Sequence, residues 1–135
     1  MVQYYLSSQL RVAAQAGVQY ISVTRRPQPN SLRPRNETVW PFNGTDWKDF
    51  NVKLISVQGN GVLTVNRVKN GANVGVPITF DNTDLAGTEK FDATTVSLVK
   101  GDRIVISFSD SSTAGVDPTF TTNSYLEFAD GLFGF

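Results

Sequence analysis

The 135-residue chain contains no cysteine and no histidine. Without cysteine there is no disulfide and no thiolate metal site. Without histidine there is no Ser-His-Asp or Cys-His arrangement and no imidazole metal site. Net charge is missing too: 12 basic and 12 acidic residues cancel. The whole chain therefore has no field to steer it toward nucleic acid or an anionic membrane. No apolar run approaches the ~20 residues that span a bilayer. The opening MVQYYLSSQL lacks the basic and apolar stretches of a secretory leader, so no targeting segment is expected. The length suits one domain, able to bury about two-thirds of its unfolded surface without cross-links.

What is present alternates. In 50–57, Phe50, Val52 and Leu54 share one strand face, and Asn51 and Lys53 the other. Ile55 and Val57 reverse the alternation, which predicts a bulge or two-sided burial there. Gln58–Gly61 is a turn, and 62–69 the next strand. Asn70-Gly71 supplies the positive-φ pair of a two-residue hairpin, with a further apolar stretch running to Phe80. Asp81–Lys90 is a polar connection. Strands at 93–99 and 103–108 flank the turn Lys100-Gly101-Asp102, and Ser109–Asp117 is a loop. Pro118 opens a last strand in which Phe120, Thr122, Ser124, Leu126 and Phe128 face one way. This spacing of strands and turns predicts an all-β, jelly-roll-like β-sandwich.

The front of the chain reads differently. Residues 2–6 suit a short strand and 18–24 another. Residues 8–17 are ambiguous; Ser8 is placed to cap a short helix over Gln9–Ala16, with Gly17 as terminator. Residues 25–36, RRPQPNSLRPRN, hold three prolines, four arginines and one large aliphatic residue, Leu32. Proline removes ladder donors, and so little apolar area cannot offset ordering entropy. An extended N-terminal arm is expected, reaching on the order of 35 Å. The division that follows is an N-terminal segment 1–49 with its arm at about 25–36, and a β domain 50–135. The first 50 residues carry net charge +3 and the rest −3.

At Lys100-Gly101-Asp102-Arg103-Ile104-Val105-Ile106 and Asn123-Ser124-Tyr125-Leu126-Glu127-Phe128, the "GD" turn, apolar strand and closing Gly-aromatic tail resemble trimeric jelly rolls of the complement-globular and tumour-necrosis-factor type. The hairpin Val62–Ile78 resembles small β modules of tailed-bacteriophage virion proteins. The resemblance covers about residues 50–135. It implies a jelly roll that trimerises and an N-terminal segment that attaches it to the particle.

Candidate chemistry is thin. Asp46 and Asp49 beside Trp47 suggest a glycosidase pair, but sequence neighbours on a turn rarely reach the required geometry. Asp81-Asn82-Thr83-Asp84 offers oxygen ligands without EF-hand spacing. Tyr4, Tyr5, Trp40 and Trp47 are candidate surface aromatics for a sugar, against core packing as the default. Leu132, Phe133 and Phe135 form an apolar tail suited to an oligomer interface. Arg25, Arg26, Leu32, Arg33 and Arg35 suit an acidic protein surface, since guanidinium pairs carboxylate bidentately.

These readings converge on a non-enzymatic virion protein, made in the host cytoplasm, with no cofactor, no metal, no nucleic-acid partner and no membrane partner. It is expected to be a homotrimer that decorates or cements a capsid, binding the major capsid protein or another virion protein through its arm. The alternative is a tail-fibre, head-fibre or receptor-binding module that contacts a host glycan or surface protein. A small glycan-active or carbohydrate-binding protein using Trp40 or Trp47 is the third reading.

Overall fold

The computed structural model describes residues 2–11 (by backbone pairing), 18–23, 33–56, 60–111 and 118–128. Among the described residues ten strands run in chain order: β1 Val2–Arg11, β2 Gln19–Ile21, β3 Thr38–Val39, β4 Thr45–Ser56, β5 Leu63–Lys69, β6 Ala72–Phe80, β7 Glu89–Asp92, β8 Val96–Leu98, β9 Arg103–Asp110 and β10 Thr119–Phe128. They form two antiparallel sheets. The first has the order β1-β10-β4-β7, with β8 also on β4; the second has β2-β9-β5-β6, with β3 also on β9. The chain changes sheet repeatedly, and the first strand closes on the last. That is the jelly-roll sandwich expected from the strand spacing.

The expected alternation fills the core, with help from two bulges. Phe50, Val52 and Leu54 are buried, and so is Trp47, at the opposite parity. A register shift reconciles them: Asn51 pairs Asn123 but Lys48 pairs Tyr125, and Asp49 takes φ 54°. The extra residue turns both stretches inward. The second shift lies at Ile55, between Leu54↔Phe120 and Ser56↔Thr119, where the sequence reversal predicted it. Phe120, Thr122, Ser124, Leu126 and Phe128 are all buried along β10.

The hairpin turn is as expected. Asn70 and Gly71 take φ 51° and 83° between Lys69 and Ala72, a two-residue turn. Asn70 also ties it to the neighbouring turn. Its Nδ2 donates to Asp102 Oδ1 at 2.8 Å, and its Oδ1 accepts from Arg103 N at 2.9 Å. Asp102 Oδ2 accepts from Val99 N at 2.8 Å, closing the "GD" turn. The Val99 amide and then the Asn70 amide hold the Asp102 carboxyl below its ordinary range.

At the front of the chain, β1 and β2 fall where strands were expected, at 2–6 and 18–24, but other features differ. Gln9–Arg11 belong to β1 and pair with Thr121–Thr119, so a helix beginning at Gln9 is not formed. A boundary at 49/50 falls inside β4, and residues 2–11, 19–21 and 38–39 add strands to both sheets. The backbone partners that these residues lack locally are supplied by β10 and β9, far away in sequence.

Candidate assembly surfaces

The expected arm is folded at its C-terminal end. Arg33–Arg35 form a 3-10 turn closed by Asn36 N donating to Arg33 O at 3.0 Å. Asn36 Nδ2 donates to Tyr20 O at 2.9 Å, fastening the turn to β2. The buried Glu37 carboxylate draws Arg33 Nε to 3.4 Å and Arg103 Nε to 3.6 Å. The Arg33 guanidinium lies over the hairpin turn, where a Cβ on Gly71 would meet Nη1 at 2.6 Å. Since β2 and β3 both pair with β9, the chain is anchored on the sandwich on either side of residues 24–32. Arg25, Arg26 and Leu32 lie outside the described residues; Arg35 is exposed.

The most elaborate polar arrangement was not singled out from the sequence. Arg67, inward on β5 in step with Leu63 and Val65, is fully buried between the sheets. Its Nη2 lies 2.8 Å from Asp92 Oδ2 on β7 and donates to Thr94 O at 2.7 Å, while Nη1 donates to Trp47 O at 3.0 Å. The guanidinium packs 5.2 Å from the Trp47 ring and 5.4 Å from the Phe50 ring. Asp92 also accepts from Val76 N at 2.9 Å and Thr94 N at 3.0 Å. Burial alone would raise the Asp92 pKa, but the Arg67, Thr94 and Val76 donors outweigh it and hold the carboxyl at about 2. Room for the pair comes from a bulge in β6. Gly75 sits there at φ 74°, and a Cβ would collide with Asp92 Oδ2 and Arg67 Nη2.

The aromatic candidates are corrected. Trp47 is 0% exposed and donates from Nε1 to Ser124 Oγ at 2.8 Å. Trp40 is buried, donates to Thr45 Oγ1 at 3.0 Å, and stacks on Phe128 at 5.7 Å. Neither is a surface aromatic, because each indole has an internal acceptor and a core to fill. Tyr4 and Tyr5 pair in register with Leu126 and Tyr125 through their backbones; their side chains lie outside the described residues. So do Leu132, Phe133 and Phe135.

The carboxylate candidates are occupied or solvated. Asp46 accepts from Ser97 Oγ at 3.4 Å, and Asp49 is the exposed bulge residue. Asp81 accepts from the Thr83 hydroxyl and amide, which lower its pKa in that order. Asp84 accepts from Asp81 N at 2.9 Å and pairs with Lys90 at 3.1 Å. These bonds are those of a polar loop, and among the described residues no carboxylate group is arranged to hold a metal.

The large exposed apolar residues include three near the seam where β6 meets β7: Val76 at 60%, Phe91 at 66% and Leu85 at 74%. Phe91 pairs with Asn51, whose neighbours Phe50 and Val52 face inward, so it stands on the outer surface of the first sheet.

No family model matches the chain, and no curated protein matches it by sequence. Solved structures do. A chain in the acidic stable capsid structure of Helicobacter pylori bacteriophage KHP30 is similar at TM-score 0.58 and 10% identity, over 93% of this chain and 87% of that one. The globular domain of zebrafish complement 1qA protein is similar at TM-score 0.51 and 11% identity, over 93% and 95%. Eiger TNF from S. frugiperda aligns at TM-score 0.41 and 14% identity, over 95% and 94%. At such identities the likeness is one of fold, and the fold is the jelly roll that the sequence motifs resemble.

Proposed function

We propose that this chain is a non-enzymatic structural protein of a phage virion, a decoration or cement protein that binds the shell as a homotrimer. The observation that carries this is the near full-length likeness to a chain in a phage capsid structure. The absence of histidine and cysteine, and the use of Asp81 and Asp84 within their own loop, agree with a role in contact rather than chemistry. The shell contact is assigned to the Arg-rich arm segment 25–36, facing acidic residues of the major capsid protein or another virion protein. The threefold contact is assigned to the β6–β7 seam with Val76 and Phe91, and to the tail residues Leu132, Phe133 and Phe135. Modest contacts multiply when three copies bind together.

The test is co-sedimentation with particles stripped of this protein. The triple variant Arg25→Ser, Arg26→Ser, Arg35→Ser leaves the Arg33–Glu37 pair intact. It should stay folded and trimeric yet sediment without the particle. Retained binding would remove the arm segment from the mechanism. Failure of the unmodified protein to bind any capsid, together with specific glycan binding, would favour the fibre or receptor-binding reading. Leu85, exposed on the loop between β6 and β7, is the feature that favours that alternative.

A further inference from the structure

Sheet edges leave backbone N–H and C=O groups unpaired, and proteins guard them with short strands, proline, lysine or bulges. Nearly every edge here is guarded. The strands β2, β3 and β8 are three, two and three residues long. β7 has four residues and carries Glu89 and Lys90. β6 is longer but is broken by the bulge around Gly75 and by Pro77. The exception is β1. It runs ten residues, pairs with β10 in unbroken register from Val2↔Phe128 to Arg11↔Thr119, and ends its sheet. Its sequence VQYYLSSQLR has no proline and no lysine, and its one charge is Arg11 at the end. No strand among the described residues lies on its other side.

We propose that the free edge of β1 is an interface between copies of this chain, in which two β1 strands pair antiparallel about a twofold axis and join two sheets into one. Self-pairing is compatible with the pattern of the strand. Even-numbered positions of β1 oppose the buried positions Phe128, Leu126, Ser124, Thr122 and Phe120 of β10. A joined sheet keeps its faces only if paired residue numbers sum to an even value. Registers centred on Leu6 or on Ser7 satisfy this with nearly full overlap. In neither does a like charge oppose Arg11, because that residue falls beyond its partner strand or opposite Gln3. The contact is small beside the ~800 Å² per partner of a standard interface. The pairing is therefore weak and deepens as protein concentration rises. It goes beyond the virion reading and does not depend on it.

The absence of native cysteine makes a direct test available. In the register centred on Leu6, that residue faces its own image at a Cα separation of about 4.5–5.5 Å, within disulfide reach. Gln3 and Gln9 each lie about 20 Å from their images. Single variants Leu6→Cys, Ser7→Cys, Gln3→Cys and Gln9→Cys are oxidised and run on a non-reducing gel. Either Leu6→Cys or Ser7→Cys should cross-link at least about tenfold faster than the other positions, and which one does so reports the register. Equal rates at all four positions would overturn the pairing. Hydrogen exchange on the unmodified protein covers the case of a misfolded variant. Alternate β1 amides should gain protection as concentration rises. Protection independent of concentration, or appearing only when particles are added, would also overturn it.

Discussion

Taking a guanidinium and a carboxylate out of water costs several kcal/mol per ion, so Arg67 and Asp92 persist because three bonds from the guanidinium and the Val76 and Thr94 amides on the carboxylate compensate it, although Arg67 Nε has no partner among the described residues. Removing one partner strands the other. Asp92→Asn or Arg67→Met should each lower unfolding free energy by about 3–5 kcal/mol, read by urea denaturation. The joint replacement Arg67→Met, Asp92→Leu should recover most of that loss, because a packed apolar pair has no charge to desolvate. Gly75→Ala should be as damaging as either single change, since the added methyl enters the space of the Asp92 oxygen and φ 74° is strained for alanine. The pH dependence has a definite sign. Asp92 is held at about 2 in the fold, below its unfolded value of about 3.9, so its contribution is complete above that value and is lost as pH falls toward 2. The stability gap between the parent protein and Asp92→Asn should therefore be constant from neutral pH down to about 4, then close toward pH 2. A gap that shrank at higher pH would place the carboxyl elsewhere. Arg67 was legible in one respect only: it shares strand parity with Leu63 and Val65. Its partner, across the sandwich on another sheet, left no mark at that distance.

At the scale of elements, what could be read was what is local. Asn70-Gly71 announces its own turn because few other residues adopt positive φ twice in succession. The reversal at Ile55 announces a bulge because burial cannot change parity without one. The bulge at Asp49 was equally implied, since Trp47 and Phe50 cannot both face inward along a regular strand. Leaving Trp47 open between core and surface hid it. β1 and β2 were harder. Their pairing partners, β10 and β9, lie some hundred residues away, and VQYYLSSQLR lacks a clean alternation. Proline and arginine at 25–36 drew attention to that segment but could not show that the strands on either side of it, β2 and β3, both return to β9. The linked turns give a test at this scale. Asn70→Ala loses the bonds to Asp102 and Arg103 N and places alanine, which tolerates φ 51° less well than asparagine, in the turn, so it should cost about 2–3 kcal/mol. Asn70→Gly relieves the backbone strain but not the lost bonds, and should cost about 1 kcal/mol less than the alanine change. Equal melting temperatures for the two would mean that the whole loss comes from the side-chain bonds and none from the backbone conformation.

Across the whole molecule, the sandwich separates the groups that stabilise it from those left to make contacts. The tryptophans and the Arg67–Asp92 pair are internal, and the linked turns spend their polar groups on each other, whereas Val76, Phe91 and Leu85 are left to solvent around one seam. Phe91 is the most informative of these, because it is 66% exposed and the core does not need it. Burying such a ring against a neighbour yields roughly 1.5–3 kcal/mol, repeated at each contact of a closed ring. Phe91→Asp replaces that gain with the cost of desolvating a carboxylate. In a trimer built on this seam, the variant should sediment at one third of the parent mass. A monomer examined below the association concentration should melt at the same temperature with or without the substitution. A variant that stays trimeric would move the threefold contact to the tail at Leu132–Phe135. A variant that unfolds would show that Phe91 supports the fold after all, through contacts that its exposure does not reveal.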